Sequence, residues 1–443
     1  MHKIVLVLAS LACAGHGRRV KLSTESQDPS KVAQPNRIAN AKSTGKQSSA
    51  LAALLLASNP TAGFKSLGSA GRLAVGSPTL SRLRPAVSPL MQTEPKAAET
   101  NKEATDGSGG VRQLLGLKGA SQADKDAPFN WKIRLQLMKP ATWIPLIWGV
   151  ACGAAASGQY HAIWNIFGSA PTTDSWGVVG TDTAKGFAAM ILAGPFMCGF
   201  TQTINDWFDR DLDAINEPYR PIPSGAITPT EVYQQIAALI IGGGVLAYSL
   251  DQWAGNEWPV ISLVASIGTI MAYIYSAPPL KLKAEGWLGT YALGSSYIAL
   301  PWWCGHAMFN AGSISKEEIV LTILYSIAGL GIAIVNDFKS IEGDRELGMN
   351  SLPVAFGVDT AKWITVASID VTQLGVAAYL YAIGETRYAA ILFGLVLPQM
   401  FSQVKFVEDP VANDVKYQAA AQPFLVSGIL CTALAVGHHS FAA

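Results

Sequence analysis

The sequence predicts an all-α protein that crosses a membrane several times. Half of its 443 residues are hydrophobic and only 14% are charged, against about 25% charged residues in an ordinary soluble domain. From Trp131 onward, long apolar runs alternate with short polar breaks, and a run of about 20 apolar residues is the length that spans a bilayer as a helix. Because lipid offers no hydrogen bonds to the backbone, a helical bundle is the expected architecture.

Two further features of the composition exclude other classes of protein. The net charge of +1 gives no broad basic surface, which argues against nucleic acid as a partner. The five cysteines are far apart and form no CxxC pair, which excludes a cysteine-based zinc ribbon and argues against a disulfide framework.

The N-terminal part of the chain differs from the rest, because all twelve Trp and all thirteen Tyr lie after residue 130. Residues 1–17 contain Lys3, an apolar run and then small residues, the layout of a signal peptide. Residues 18–90 contain eleven Lys or Arg but only two acidic residues, which is typical of a plastid transit peptide; a disordered tail is the alternative. A signal peptide followed by a transit peptide indicates import, through the secretory route, into a plastid that is surrounded by extra membranes. We predict an N-terminal stromal segment over 91–130 and a membrane domain over 131–443.

The apolar runs predict a bundle of nine transmembrane helices. They cover residues 141–158, 184–204, 232–250, 258–276, 287–308, 318–336, 363–383, 387–405 and 420–440.

The loop charges predict the orientation of this bundle. With nine spans, the N-terminal segment and the loops after the even-numbered helices share one side of the membrane. That side carries twelve Lys or Arg, including Lys139, Arg220 and Lys283, and the other side carries three. We call it the charged side. Lys and Arg accumulate in cytoplasmic loops, so we expect the charged side, and an active site on it, to face the plastid stroma.

A first acidic segment lies at the end of the second predicted helix. If the helix continues, Asn205, Asp209 and Asp213 are four residues apart and share one face, with Asp206 beside them. Like charges at this spacing repel each other, and a divalent cation would relieve the repulsion. Mg²⁺ typically takes one or two carboxylates together with substrate phosphates. A solvated acidic turn is the alternative interpretation.

A second acidic segment lies at the end of the sixth predicted helix. Asp337 and Asp344 are seven residues apart, again on one helical face, and Glu342 is adjacent. Both segments begin with Asn-Asp after an apolar helix and lie on the charged side, which is a weak internal repeat. Two such clusters facing each other could hold two Mg²⁺ ions with a diphosphate between them.

Basic residues near these segments are suited to bind phosphate oxygens. Each one alone is better explained by lipid headgroups or by membrane topology. Beside acids that would hold a metal, a diphosphate site becomes the better explanation. We assign to it Arg134, Lys139, Arg210, Arg220, Lys281, Lys283, Lys339 and Arg345.

From about Arg112 to its end, the chain resembles the UbiA-type intramembrane prenyltransferases. Residues 205–213 match the NDxxDxxxD pattern of that family in full. More narrowly, residues 214–225, 273–283 and 336–353 resemble the branch of the family that esterifies chlorophyllide. The resemblance implies a nine-helix fold and agrees with the number of apolar runs.

The second acidic segment departs from the pattern of many family members. They have DxxxD there, whereas this chain has Ser340 at the earlier position. We therefore expect Asp337 to act in its place, with Glu342 as an alternative. The implied metal ligands are Asn205, Asp209, Asp213, Asp337, Glu342 and Asp344, and the implied catalytic carboxylates are Asp206, Asp209, Asp213, Asp337 and Asp344.

The resemblance also implies an activity. A Mg²⁺-dependent prenyltransferase of this branch joins the propionate of chlorophyllide a to phytyl or geranylgeranyl diphosphate and releases diphosphate, the last step of chlorophyll biosynthesis. It implies a thylakoid membrane location, contact with membrane lipid, and light-harvesting-like proteins and membrane insertion factors as partners. His306 is a candidate ligand for the magnesium of a tetrapyrrole, with a structural histidine as the alternative.

Two other functions compete with this one. A sister prenyltransferase would act on a quinone precursor or on haem, whose acceptor atom is carbon. A transporter or a pigment-binding membrane scaffold would need charges or cavities near the middle of the bilayer, whereas the acidic residues here lie near one surface.

Overall fold

The computed structural model describes residues 113, 119–120, 125, 130–167, 176–346 and 348–442. The predicted signal peptide and transit peptide, and nearly all of the predicted stromal segment, lie outside these residues. Within them the secondary structure is helical, apart from turns and one isolated bridge between Glu285 and Asn350.

The helices follow one another with short connections. They are α1 (Trp131–Met138), α2 (Ile144–Ala156), α3 (His161–Phe167), α4 (Trp176–Ile191), α5 (Gly199–Asn216), α6 (Pro229–Ala254), α7 (Val260–Ser276), α8 (Gly286–Ala307), α9 (Lys316–Asp337), α10 (Ile341–Glu346), α11 (Leu352–Phe356), α12 (Val358–Ala382), α13 (Thr386–Glu408) and α14 (Pro410–Ala442).

This architecture confirms the predicted all-α membrane bundle. Within the described residues, six helical segments are long and apolar enough to cross a membrane. They are Trp176–Ala214, Pro229–Ala254, Lys316–Glu346, Val358–Ala382, Thr386–Glu408 and Pro410–Ser440. Two shorter apolar helices, Pro140–Ala156 and Val260–Ser276, and the helix α8 lie where the other spans are predicted. The number of nine spans stays a prediction.

The helix that carries the first acidic segment is longer than its predicted span. A π-helical stretch, Leu192–Cys198, joins α4 to α5 without a break and contains Pro195. Proline removes a backbone donor from a helix, and a π-helical turn is a common way to accommodate such an irregularity. The helix continues to Asn216, so the acidic residues lie on helical turns, as their spacing requires.

Capping boxes fix the starts of two long helices. Thr228 and Glu231 form one at the start of α6, and Ser315 and Glu318 form the other at the start of α9. In both, the hydroxyl accepts from the N3 backbone amide and the glutamate accepts from the N-cap backbone amide, which satisfies two otherwise unpaired donors.

The helices α8 and α2 pack closely, because two glycines bring their backbones together. A Cβ atom on Gly153 would lie 1.9 Å from the carbonyl oxygen of Trp302, and one on Gly305 would lie 2.1 Å from that of Val150. Small residues at a helix interface allow this close approach in membrane proteins. The contact fixes α8, which also packs against α7 and α9, between the two helices that carry the acidic segments.

Candidate active site

One cavity of about 400 Å³ brings both acidic segments together. Its polar wall is built from the end of α5, the end of α9 and the loops on the charged side. The described side chains there are Lys139, Asn205, Asp206, Asp209, Glu217, Arg220, Lys283, Asn336, Asp337, Lys339, Ser340 and Asp344. The rest of the wall is largely apolar and includes Leu146, Leu192, Ile261, Val264 and Leu300. A charged wall beside a long apolar wall suits an amphipathic substrate.

Three carboxylates of the first segment, those of Asp206, Asp209 and Asp213, are buried, and each one meets a cation of the protein. Lys139 Nζ lies 2.7 Å from Asp206 Oδ1, and Lys283 Nζ lies 2.5 Å from Asp209 Oδ1. Arg220 Nη1 lies 2.8 Å from Asp213 Oδ2. These ion pairs relieve the repulsion that the sequence alone assigns to a metal ion. The spacing of the acids did not predict these basic partners, which share the role that the sequence gives to a divalent cation.

Arg220 connects three acidic residues. Its guanidinium contacts Asp206 at 3.2 Å, Asp213 and also Glu217. Burial alone would lower the pKa of Arg220, but the neighbouring carboxylates raise the pKa above its ordinary value. Arg220 therefore stays charged and fixes its loop against α5. Glu217 was not predicted as a site residue, although its position three residues before Arg220 was a usable signal.

Lys139 reaches the site from a strained backbone. Its φ of 46° lies in the left-handed region, which residues other than glycine seldom adopt. It ends α1 and is followed by Pro140, which starts the turn into α2. Strain of this kind is common at functional sites, where the surrounding structure holds it.

The serine that replaces an acid in the second segment holds the next acid. Ser340 Oγ donates to Asp344 Oδ2 over 3.0 Å, and Asp344 is buried. Asp337 and Asp344 both line the cavity. Glu342 is exposed and is not among the lining residues, so the structure does not bring the predicted alternative ligand to the site.

The two asparagines that begin the acidic segments are held in opposite orientations. Asn205 Nδ2 donates to Ser276 Oγ over 3.3 Å, which leaves the carbonyl oxygen Oδ1 for the cavity. Asn336 Oδ1 instead accepts from Gln418 Nε2 over 3.2 Å, which leaves the Nδ2 amide for the cavity. The sequence repeat is therefore not a chemical repeat at this position.

The predicted phosphate-binding cations divide into two groups. Lys139, Arg220, Lys283 and Lys339 line the cavity, whereas Arg134, Arg210, Lys281 and Arg345 do not.

Two of the second group have other partners at the surface of the bundle. Arg134 lies 3.6 Å from Glu231 at the start of α6. The guanidinium of Arg210 lies over the ring of Trp207, 4.6 Å from its centroid, in an arrangement typical of a cation–π contact.

The donor atoms at the cavity fit a divalent metal ion. Asn205 Oδ1 and the carboxylates of Asp206, Asp209, Asp337 and Asp344 are hard oxygen ligands, the type that Mg²⁺ prefers. Within the described part of the chain, no three acidic, histidine or cysteine side chains form a metal cluster by themselves. The predicted ligand Asp213 is buried against Arg220 and does not line the cavity.

His306 is buried and contacts two neighbouring side chains of the protein. Its Nδ1 lies 2.5 Å from Glu318 Oε1, and its Nε2 lies 3.0 Å from the side-chain amide of Asn310. Both the histidine and the glutamate are buried. These contacts tie the end of α8 to the start of α9 and favour the structural role of His306.

Together, the fold and the cavity define a helical membrane protein whose buried acids and bases can hold a divalent cation and a diphosphate beside an apolar wall. The sequence profile of the UbiA prenyltransferase family matches residues 146–427. The chain belongs to the UbiA prenyltransferase family.

The relatives of the chain are similar over most of their length. It is 56% identical over 352 residues to a chloroplastic chlorophyll synthase of Oryza sativa subsp. japonica, covering 77% of this chain and 88% of the relative. It is 35% identical over 307 residues to the bacteriochlorophyll synthase 34 kDa chain of Chloroflexus aurantiacus, covering 69% of this chain and 91% of the relative. A solved structure of a digeranylgeranylglyceryl phosphate synthase matches with a TM-score of 0.51 and 20% identity, over 69% of this chain and 98% of that one. This last likeness shows the shared fold.

Proposed function

We propose that this protein is a membrane prenyltransferase that esterifies the propionate of chlorophyllide with a prenyl diphosphate, phytyl or geranylgeranyl, and releases diphosphate. The observation that carries the proposal is the single cavity in which Asp206, Asp209, Asp337 and Asp344 meet Lys139, Arg220 and Lys283 beside an apolar wall. The 56% identity to a chloroplastic chlorophyll synthase supports chlorophyllide as the acceptor.

The basic residues of the cavity are placed to bind the diphosphate. Lys139, Arg220 and Lys283 are held by carboxylates, which fixes their positions at the wall of the cavity. Charge-assisted hydrogen bonds from Lys and Arg to phosphate oxygens are among the strong polar contacts in proteins. On binding, each cation exchanges or shares its carboxylate partner with a phosphate oxygen.

Asn205, Asp209, Asp337 and Asp344 would hold Mg²⁺, with phosphate oxygens and water as the other ligands. When bound, the metal supplies positive charge that stabilises the leaving diphosphate. Lys139, Arg220 and Lys283 act on the same developing charge, because preorganised cations in a buried site stabilise a transition state more strongly than water does.

The chemical step needs no general base. A carboxylate oxygen of the acceptor forms a bond to C1 of the prenyl chain, and the bond between C1 and the diphosphate oxygen breaks. The electron pair of the broken bond leaves with the diphosphate, and no proton moves. The apolar wall, including Leu146, Leu192, Ile261 and Val264, holds the prenyl tail and excludes water that would otherwise trap the allylic carbon.

The location follows from the same relatives. The helices and the chloroplastic relatives support a multi-pass membrane protein of the chloroplast. We further propose the thylakoid membrane with the cavity facing the stroma, delivery through the signal and transit peptides, and light-harvesting-like proteins and membrane insertion factors as partners. The loop charges and the N-terminal composition support these finer points.

Product formation by membranes that contain the full chain tests the proposal. They are given chlorophyllide a, phytyl diphosphate and Mg²⁺, and a second sample receives EDTA. We expect esterified product that disappears with EDTA and returns with excess Mg²⁺. If inserted, folded protein makes no product with phytyl or geranylgeranyl diphosphate but prenylates a quinone precursor or haem, the acceptor assignment is wrong.

A further inference from the structure

A second, smaller cavity of about 140 Å³ adjoins the reaction cavity. The two cavities share the lining residues Leu293, Tyr297, Ala333 and Asn336. The smaller cavity lies among α2, α8, α9 and α14. Pockets that enclose a drug-sized ligand have roughly 300–1,000 Å³, so this one holds the edge of a larger molecule rather than the whole of it.

Amide side chains are the main polar groups of the smaller cavity. Gln418 and Gln422 lie one helical turn apart on α14 and line it, and Asn336 lies at the junction with the reaction cavity. The other lining side chains are mostly apolar and include the rings of Trp148 and Trp302. No charged residue is among the described residues that line this cavity.

The hydrogen bond between Gln418 and Asn336 determines which side-chain group of Asn336 can contact a ligand. Gln418 Nε2 donates to Asn336 Oδ1, so the carbonyl oxygen is occupied. The remaining group of Asn336 is the Nδ2 amide, a hydrogen-bond donor that suits an anion and does not suit a metal. Asn205, with the opposite orientation, keeps its oxygen for a metal.

We propose that the smaller cavity is the acceptor subsite: it takes the carboxylate-bearing edge of the acceptor, and Asn336 Nδ2 donates a hydrogen bond to the attacking carboxylate. This inference rests on the proposed function, because it assumes a carboxylate acceptor. Asn336 contacts the substrate, and Gln418 is a positioning residue that acts through it. Trp148 and Trp302 offer apolar surface to the part of the acceptor's ring system that lies next to the carboxylate.

Neutral amides suit an attacking carboxylate better than Lys or Arg would. A charge-assisted pair with a cation would hold the nucleophile's electrons more strongly, and the cations of the reaction cavity face the diphosphate. A neutral donor orients the carboxylate and leaves a lone pair available for the attack on C1. Because the amides line the smaller cavity and the cations line the reaction cavity, the acceptor carboxylate and the diphosphate bind to different groups of the protein.

The nearly isosteric substitution Gln418→Glu tests the inference. A glutamate at this position accepts a hydrogen bond from Asn336 Nδ2, which turns the asparagine so that its oxygen faces the acceptor carboxylate. We expect the KM and the Kd for chlorophyllide a to rise about ten- to a hundredfold, the effect of losing a hydrogen bond to a charged group. The KM for the prenyl diphosphate should change less than about twofold.

Controls separate this outcome from misfolding and from failure of the proposed function. Gln252→Glu makes the same chemical change on an exposed position of α6 and should match the wild type. Fluorescence titration with chlorophyllide a and with its propionate methyl ester gives the Kd without turnover. The wild type should bind the free acid more tightly than the ester, and Gln418→Glu should lose that difference.

Three results would overturn the inference. They are a Gln418→Glu variant with an unchanged Kd for chlorophyllide a, an equal rise in the KM of both substrates, and wild-type protein that binds acid and ester alike. A Gln418→Glu variant that does not insert into the membrane, or that has lost the thermal unfolding transition of the wild type, has lost its fold, and Asn336→Leu is then tested by the same titration. Wild-type protein that forms no ester contradicts the proposed function instead.

Discussion

Lys283 Nζ and Asp209 Oδ1 lie 2.5 Å apart, and this ion pair joins the loop after α7 to the first acidic segment. Both side chains are nearly inaccessible to solvent, with 12% and 5% of their surfaces exposed. Replacing one member of a buried ion pair with a neutral residue strongly destabilises a protein, because the other charge then stays buried without its partner. The pair therefore fixes the loop after α7 against α5 at the wall of the cavity.

Removal of the charge on Asp209 tests the acidic segment. We expect Asp209→Asn to lower turnover by about a hundredfold or more, the size of effect that follows loss of a group that stabilises transition-state charge. Asp211→Asn is the matched control, since the Asp211 side chain is 90% exposed two residues away, and it should keep wild-type turnover. The measurement is ester formation per inserted protein. Wild-type turnover by Asp209→Asn would refute the assignment.

Two neighbouring lysines distinguish the sequence prediction from the structure. Lys283 lines the cavity and Lys281 does not, although the sequence assigns both to the diphosphate. We expect Lys283→Met to raise the KM for the prenyl diphosphate about tenfold or more, because a charge-assisted contact is lost, and Lys281→Met to leave it unchanged. Steady-state kinetics with varied diphosphate checks this. Equal effects of both substitutions would support the sequence assignment over the structural one.

Ser340 offers a test of the second acidic segment. Ser340→Ala removes the hydrogen bond to Asp344, and a hydrogen bond to a charged group contributes about 1.5–3 kcal/mol. We expect turnover to fall about tenfold, with a higher Mg²⁺ concentration needed for half-maximal rate, because Asp344 is held less firmly. Ser340→Thr keeps the hydroxyl and should retain most of the activity. A Ser340→Ala variant with unchanged Mg²⁺ dependence would separate Asp344 from the metal.

The α2–α8 contact gives a prediction about stability. A methyl group on Gly153 would overlap the Trp302 carbonyl, so Gly153→Ala should destabilise the protein by about 1–3 kcal/mol, the usual cost of overpacking. Gly375→Ala on α12 is the control, because a Cβ atom there meets nothing within 4 Å, and alanine favours helix over glycine. Thermal denaturation in detergent should show a lower Tm for the first variant and an equal or higher Tm for the second.

The sequence predicted the elements of this fold better than the contacts between them. Apolar run lengths located the helices, and the four-residue spacing of Asn205, Asp209 and Asp213 required a helix that extends past the apolar run, as found. Spacing along one helix indicates which residues share a face but not what faces them. The partners Lys139 and Lys283 are 67 and 74 residues away from the acids they contact, so the repulsion was assigned to a metal alone.

The asparagine orientations show a second limit of sequence reasoning. Asn205 and Asn336 occupy the same place in two similar segments. Their amides are turned by Ser276 and Gln418, which lie on other helices and follow no local pattern. The repeat in sequence therefore does not extend to the contacts of the two side chains.

The π-helical stretch Leu192–Cys198 has a consequence for how the chain tolerates insertions and deletions. Each residue of an α-helix turns the chain by about 100°, so one residue lost or gained in that apolar stretch would rotate the whole of α5 about its axis. Asp206 and Asp209 would then face a neighbouring helix or lipid, and Lys139 and Lys283 would lose them. The number of residues between Trp176 and Asp206 is thus as restricted as the identity of the acids.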